Sequence, residues 1–190
     1  MLELRELRRG DLAEVNRWRA DRGLVGCLGA SFRYIGPEVD ESWFDAYLKG
    51  RANTVRCAVV EDGEPEDILG LATLASIDWV SRSCVFHIMV RPKSQGRGVG
   101  AFALSAMVEH AFLDLGLRRI ELCVLDCNKR ARRLYEKEGF VLEGTKRQAA
   151  YKGGRYEDMH VMALLRDEWT GGGALVAKRR AQRRAAKAAA

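Results

Sequence analysis

Hydrophobic and polar positions follow different periods before and after about residue 54. On the N-terminal side, Leu2, Leu4 and Leu7 separated by charges read as a short strand. Asp11 followed by Glu14 resembles a capping box opening a helix that runs to about Arg19. Residues 20–36, punctuated by Gly23, Gly26, Gly29 and Gly36, show no clear period and read as a loop or broken helix. A second helix is expected from about Asp40 to Lys49. Beyond Thr54, TVRCAVVE, ILGLATLASIDWV and CVFHIMV carry the pattern of strands, and their short links predict an antiparallel meander. The loop RPKSQGR then leads into a helix, GVGAFALSAMVEHAFLDLGL, in which Phe102, Met107, Ala111 and Leu115 recur at roughly helical spacing. RRIELCVL reads as a strand, and Asn128 and Gly139 have the chemistry of N-cap and C-cap for the helix KRARRLYEKEG between them. FVLEGTKRQAAYK and RYEDMHVMALL flank the turn Gly153–Gly154 as two more strands. The expected fold class is α+β around one mixed sheet.

Composition narrows the class. The chain has 190 residues, 47% hydrophobic and 31% charged, with three Pro and nineteen Gly. That balance suits one soluble globular domain and excludes collagen-like, disordered or disulfide-stapled chains. No stretch approaches the run of about 18 apolar residues that a membrane span needs, and MLELRELRRG lacks a signal-peptide apolar region, so the expected compartment is the cytoplasm. The five cysteines (Cys27, Cys57, Cys84, Cys123, Cys127) are scattered and odd in number, and are expected as reduced thiols packed as small hydrophobes. The CxxxC spacing of Cys123 and Cys127 is a poor zinc or redox signature, and His87, His110 and His160 are isolated, so no metal is expected.

The net charge of +6 is a property of the C-terminus. After Trp169 there is no acid, while Lys178, Arg179, Arg180, Arg183, Arg184 and Lys187 are all basic. Two segments are therefore expected: a domain over residues 1–169 and a Gly-led, Ala/Arg-rich tail over 170–190, solvated and poorly ordered. The functional alternative for the tail is an electrostatic tether to RNA or the ribosome.

VRPKSQGRGVG carries the most chemistry. Glycines at 96, 98 and 100 between a strand and a long helix let several backbone N–H groups converge at the positive end of the helix dipole, where a pyrophosphate would sit. The bland reading is a flexible connection. A Walker A loop fails because Ala101 and Phe102 follow Gly100 where Lys and Ser or Thr are needed. Gly96, Gly98, Ala101 and Glu121 fit a Rossmann fingerprint formally, but the motif lies mid-chain after a meander, with too little chain left for a doubly wound sheet.

The combination of CVFHIMV, the pattern Gln95-x-x-Gly98-x-Gly100, IELCVL, Asn128 and RRLYEKEGF resembles the GNAT superfamily of acyl-CoA-dependent N-acetyltransferases over nearly all of residues 1–169. The ending EGTKRQAAYKGGRYEDMHVMALLRDEW is similar to the branch holding ribosomal-protein α-amino acetyltransferases and bacterial spermidine acetyltransferases. The resemblance implies a mixed, mostly antiparallel sheet splayed between strands 4 and 5 and flanked by helices. It implies acetyl-CoA as acyl donor, a primary amine as acceptor, and direct attack in a ternary complex without a metal.

Carried onto this chain, the resemblance implies that the amides of Gln95, Gly96, Arg97, Gly98, Val99, Gly100 and Ala101 hold the pyrophosphate. The backbone of Ile88, Met89 and Val90 would pair with the pantetheine and polarise the thioester carbonyl, Asn128 would hydrogen-bond the pantetheine arm, and Tyr135 would protonate the departing thiolate. Val85 stands where relatives of this branch often carry Glu. His87 and Glu121 are the remaining candidates for the group that takes the ammonium proton, His87 by its intrinsic pKa. Residues 20–36 offer Arg22, Arg33, Phe32 and Tyr34 against one acid, Asp21, which leans away from a polyamine acceptor, although Glu38, Asp40 and Glu41 follow closely. A protein α-amine or a small neutral or anionic amine stays open beside the polyamine. The rival readings are a non-catalytic acetyl-CoA sensor and an RNA-binding protein driven by its tail. Self-association as a homodimer is a further expectation.

Overall fold

A computed structural model of the chain describes residues 1–171; the basic run expected as a tail lies outside the described residues. The elements follow in the order β1 (Leu2–Glu6), α1 (Leu12–Ala20), α2 (Arg22–Gly26), α3 (Pro37–Lys49), β2 (Val55–Glu61), β3 (Gly70–Asp78) and β4 (Ser83–Val90). The second half comprises α4 (Val99–Glu109), β5 (Arg119–Leu125), α5 (Lys129–Glu138), β6 (Val141–Lys152) and β7 (Arg155–Leu165). The strands form one seven-stranded sheet in the order β1-β2-β3-β4-β5-β7-β6. Every neighbouring pair is antiparallel except β4 and β5. No helix among the described residues is long and apolar enough to cross a membrane.

Alternation along the strands gives the sheet two apolar faces. Cys84 and Phe86 of β4 and Ile120, Leu122 and Val124 of β5 point to the face covered by α4 and α5. Ala58 and Val60 of β2 and Leu71 of β3 point to the other face, where α1 contributes Leu12, Val15 and Trp18 and α3 contributes Phe44 and Tyr47. Buried almost all round, α4 is a central helix clamped between the sheet and α5 rather than a surface helix with a narrow stripe.

The parallel pair is the feature that opens the sheet. Only Ser83, Cys84 and Val85 of β4 are in register with β5, against Arg119, Ile120 and Glu121. Beyond that third rung β4 keeps its partner β3 as far as Val90, while β5 follows β7 as far as Leu125. The two strands diverge, and a wedge opens between them.

Several local expectations need correcting. Asp11 does not cap α1: its buried carboxylate accepts from Arg5 Nη1 and Nη2 at 2.8 and 2.7 Å and from the Arg8 N–H at 2.7 Å. Glu14 accepts from Trp18 Nε1 at 2.8 Å instead of closing a capping box. The second helix begins at Pro37, three residues early, because proline at the first helical position needs no N–H partner and is already bent into helical φ. The long fourth helix ends at Glu109 and finishes in a π-helical turn over His110–Asp114. Of the five cysteines only Cys84 is buried, its thiol pushed up to about 12 by desolvation; Cys27, Cys123 and Cys127 are exposed, so the expectation of uniformly packed thiols fails.

Candidate active site

The wedge presents main-chain hydrogen-bonding groups that have no strand opposite them. On the β5 side, the Arg82 carbonyl accepts from Arg118 N at 2.7 Å, and on the β3 side Arg91 N donates to the Leu69 carbonyl at 2.9 Å. Backbone direction alternates along a strand, so Cys84, Phe86, Ile88 and Val90 turn their N–H and C=O toward β5 and Val85, His87 and Met89 turn theirs toward β3. From Phe86 onward β5 is no longer there to receive them. Ile88 and Val90 therefore face the wedge with their main chain. Met89, expected to do the same, spends its backbone on β3 and packs its side chain toward α1 and α3. The Val90 carbonyl accepts from Gln95 Nε2 at 3.2 Å, which ties the loop after β4 to the wedge rim.

That loop is built for an anion. Gly96 and Gly98 both sit at φ +83°, a left-handed conformation that a side chain would strain by about 1–2 kcal/mol. Gly98 is the N-cap of α4, no side chain caps the helix, and its first turn holds no acid, so the leading N–H groups and the positive end of the dipole are uncompensated. Gly100 lets this end of α4 settle close: a Cβ there would stand 3.5 Å from Leu134 of α5 and 3.7 Å from Val90. The basic side chains of the loop are partly engaged elsewhere, Arg91 with Asp67 at 2.5 Å and Arg97 with Glu61 at 3.5 Å.

The cation that does approach the glycines comes from another element. Arg130, exposed on the first turn of α5, reaches Gln95 Oε1 with Nη1 at 3.4 Å, and its Nη2 lies 3.8 Å from where a Gly96 Cβ would be. Sequence reasoning missed it. The only available signal was its place two residues after the N-cap Asn128, which says nothing about a loop 34 residues upstream.

Asn128 and Tyr135 are held by the same helix. Asn128 Oδ1 accepts from Ala131 N at 3.1 Å, the expected N-cap bond, and its Nδ2 donates to the Cys27 carbonyl at 3.0 Å, linking α5 to the segment after α2. Tyr135 is 7% exposed among the core residues beneath the wedge, its ring 6.0 Å from that of Phe140. Desolvation pushes its hydroxyl up to about 12, so it is a proton donor throughout the neutral range.

The two base candidates lie on the other face of the sheet. Glu121 is paired with Val85 at the last rung before the strands part, and its Oε2 accepts from Arg119 at 2.9 Å. His87 lies two residues further along β4, with an exposed edge; the protein packed round the rest of the ring and the charge of Arg56 both lower its pKa, keeping the imidazole neutral at pH 7. Tyr135 on one face and His87 with Glu121 on the other thus flank the wedge that Ile88 and Val90 line.

Residues 20–36 pack over the open end. The broken helix is realised as α2, with Asp21 used as its N-cap (Leu24 N to Oδ1, 3.0 Å). Lys152 of β6 donates to the Val25 carbonyl at 3.0 Å and to that of Ala30. Arg22 stacks on Phe32 at 4.1 Å and donates to the Tyr34 hydroxyl at 2.9 Å, beside a groove of about 320 Å³ lined by Phe32, Arg33, Tyr34 and Ile35.

Comparison with known proteins agrees with this architecture. Residues 1–141 match the family described as Acetyltransferase (GNAT) domain. The spermidine N(1)-acetyltransferase of Vibrio cholerae is 32% identical over 170 residues, covering 88% of this chain and 95% of its own. A putative ribosomal N-acetyltransferase, YdaF of Bacillus subtilis, is 28% identical over 119 residues, 63% of each chain. The crystal structure of the Vibrio cholerae spermidine N-acetyltransferase in complex with CoA and spermine superposes with a TM-score of 0.82 at 29% identity, covering 88% of this chain and 96% of that one.

Proposed function

The chain belongs to the GNAT acetyltransferase family and is an acetyl-CoA-dependent N-acetyltransferase, and on that premise we propose how its own residues divide the work. The amides from Gln95 to Ala101 hold the donor's pyrophosphate, and Arg130 adds a charge from the side. The uncapped α4 N-terminus is the observation that carries this assignment. Ile88 and Val90 offer wedge-facing main-chain groups to the pantetheine as an added strand, with an N–H aimed at the thioester oxygen and the Val90 carbonyl shared with Gln95. The donor supplies an acyl group already activated as a thioester.

The remaining work is to position an amine and move two protons. His87, neutral at working pH, takes the proton from the acceptor ammonium at its ring nitrogen, directly or through water, with Glu121 at the apex of the wedge as the second candidate. The free amine attacks the carbonyl carbon, the developing oxyanion is met by a β4 N–H, the C–S bond breaks as the Tyr135 hydroxyl protonates the leaving sulfur, and the second proton on the attacking nitrogen passes through water to the Tyr135 oxygen. Titration calorimetry with acetyl-CoA, with NAD as control, followed by thiol release across polyamines, amino acids, aminoglycosides and N-terminal peptides, tests this reading. Micromolar binding of acetyl-CoA alone and turnover on at least one amine are expected; equal binding of NAD would sink the assignment of the loop.

Spermidine is the second reading of the acceptor, favoured by the names of the relatives. The basic run after Trp169 supports a further proposal, a tether to RNA or the ribosome whose affinity falls steeply with salt. Unchanged association at low salt after deletion of residues 174–190 would end it.

A further inference from the structure

One flank of α5 carries positive charge that no described acid neutralises. Arg130, Arg133 and Lys137 recur at i, i+3 and i+7, so they stand along one side of the helix. That side is turned to the glycine loop: Arg130 approaches Gly96, and Leu134, in the same stripe, lies 3.5 Å from where a Gly100 Cβ would be. All three cations are exposed. Among the described residues Arg133 and Lys137 have no ion-pair or hydrogen-bond partner, and Arg130 meets only the neutral Gln95 amide at 3.4 Å.

The imbalance is confined to that flank. On the opposite side of α5 each cation has an acid, Lys129 with Asp126 at 2.6 Å and Arg132 with Glu136 at 2.9 Å. The loop's own arginines are paired as well, Arg91 with Asp67 and Arg97 with Glu61. Glu138, the other acid of the helix, has Oε1 shut off from solvent, and burial raises its pKa. Like charges three and four residues apart repel one another, a standing cost that an arriving anion removes. The spacing also distinguishes two anion positions. Arg130 stands beside the loop, whereas Arg133 and Lys137 lie about 4.5 Å and about 10 Å further along the helix axis.

We propose that Arg133 and Lys137 bind the 3′-phosphate of the donor, and that this enzyme selects complete coenzyme A thioesters over acyl donors that lack that phosphate. The inference rests on the donor assignment above and extends it from the pyrophosphate to the nucleotide. Coenzyme A carries its second phosphate position one ribose away from the pyrophosphate, so a pyrophosphate held by the loop and Arg130 leaves the next cations along α5 for the 3′ group. The planar fork of Arg133 suits phosphate oxygens, and Lys137 adds a point charge. Because the flank is open to water, the interaction is screened by salt.

Calorimetry with acetyl-CoA and with acetyl-3′-dephospho-CoA tests the proposal. Wild-type protein is expected to bind the complete donor about tenfold more tightly at low salt, with the margin narrowing as salt rises. The double variant Arg133→Gln, Lys137→Gln should bind both donors alike, at the affinity wild type shows for the dephosphorylated one. Both sites are exposed and glutamine is a good helix former, so the fold is retained. Lys129→Gln with Arg132→Gln removes the same charge from the opposite flank and should keep the margin. Equal binding of the two donors by wild type, a margin that survives in Arg133→Gln, Lys137→Gln, or an equal loss in the opposite-flank variant overturns the proposal. If neither donor binds, the donor assignment itself fails and this inference falls with it.

Discussion

The two sides of the wedge are built from different materials. On the side proposed for the donor the groups on offer are main chain: the N–H and C=O of Ile88, the N–H of Val90 and the uncapped first turn of α4 behind two left-handed glycines. On the side proposed for the acceptor they are side chains brought from separate elements, His87 from β4, Glu121 from β5 and Arg22 from α2. A backbone site tolerates sequence drift so long as the fold and a few glycines survive, whereas a side-chain site is rewritten by single substitutions. A chain 32% identical to a spermidine acetyltransferase over 170 residues can on that account share the backbone features of the fold while differing in the side chains around them.

Perturbations of the two sides should separate accordingly. The largest effect is expected from Gly98→Val, which strains the left-handed N-cap and pushes a side chain among the amides proposed to hold the pyrophosphate; acetyl-CoA affinity by calorimetry should fall by about a hundredfold or more. Tyr135→Phe should lower kcat by about a hundredfold and leave acetyl-CoA affinity nearly unchanged, and wild-type turnover would remove Tyr135 as the acid.

A smaller effect is expected at His87. Because its pKa is depressed, the group is neutral above its ordinary value and is lost as a base only when pH falls through the lowered one. The acidic limb of the kcat/KM profile should therefore lie below the usual imidazole range and disappear in His87→Gln, with a loss of about tenfold at neutral pH. An unchanged limb in that variant would transfer the role to Glu121 or to water. The smallest change is Asn128→Ala, which removes the α5 cap and should cost about 1 kcal/mol, a fall of about 2–4 °C in Tm.

What could be read from the sequence follows the same division. The strands from Val55 to Leu125, the turn at Gly153–Gly154 and the caps Asn128 and Gly139 were legible because each rests on local periodicity or on one residue's conformational preference. The glycine loop was legible for the same reason. Asp11 was misread because its true partner, the Arg5 guanidinium, is supplied by a strand rather than by the helix it precedes. Arg130 was missed because it meets Gln95 only across a fold that brings α5 to the loop before α4. Met89 was assigned to the wedge along with its neighbours because a resemblance transfers a strand segment, and only the hydrogen bonds at Arg82 and Arg91 show which alternate residues face β5.

The two-handed grip of Asn128 bears on how the two proposed substrates would influence each other's affinity. One amide end holds α5 together, and the other holds the segment that packs over the acceptor opening through the Cys27 carbonyl. A donor arm bound as proposed would take the second Nδ2 hydrogen of the same amide, so it would share its anchor with the Cys27 carbonyl. Coupling of this kind is reciprocal: whatever acetyl-CoA does to the affinity for the amine, the amine does equally to the affinity for acetyl-CoA.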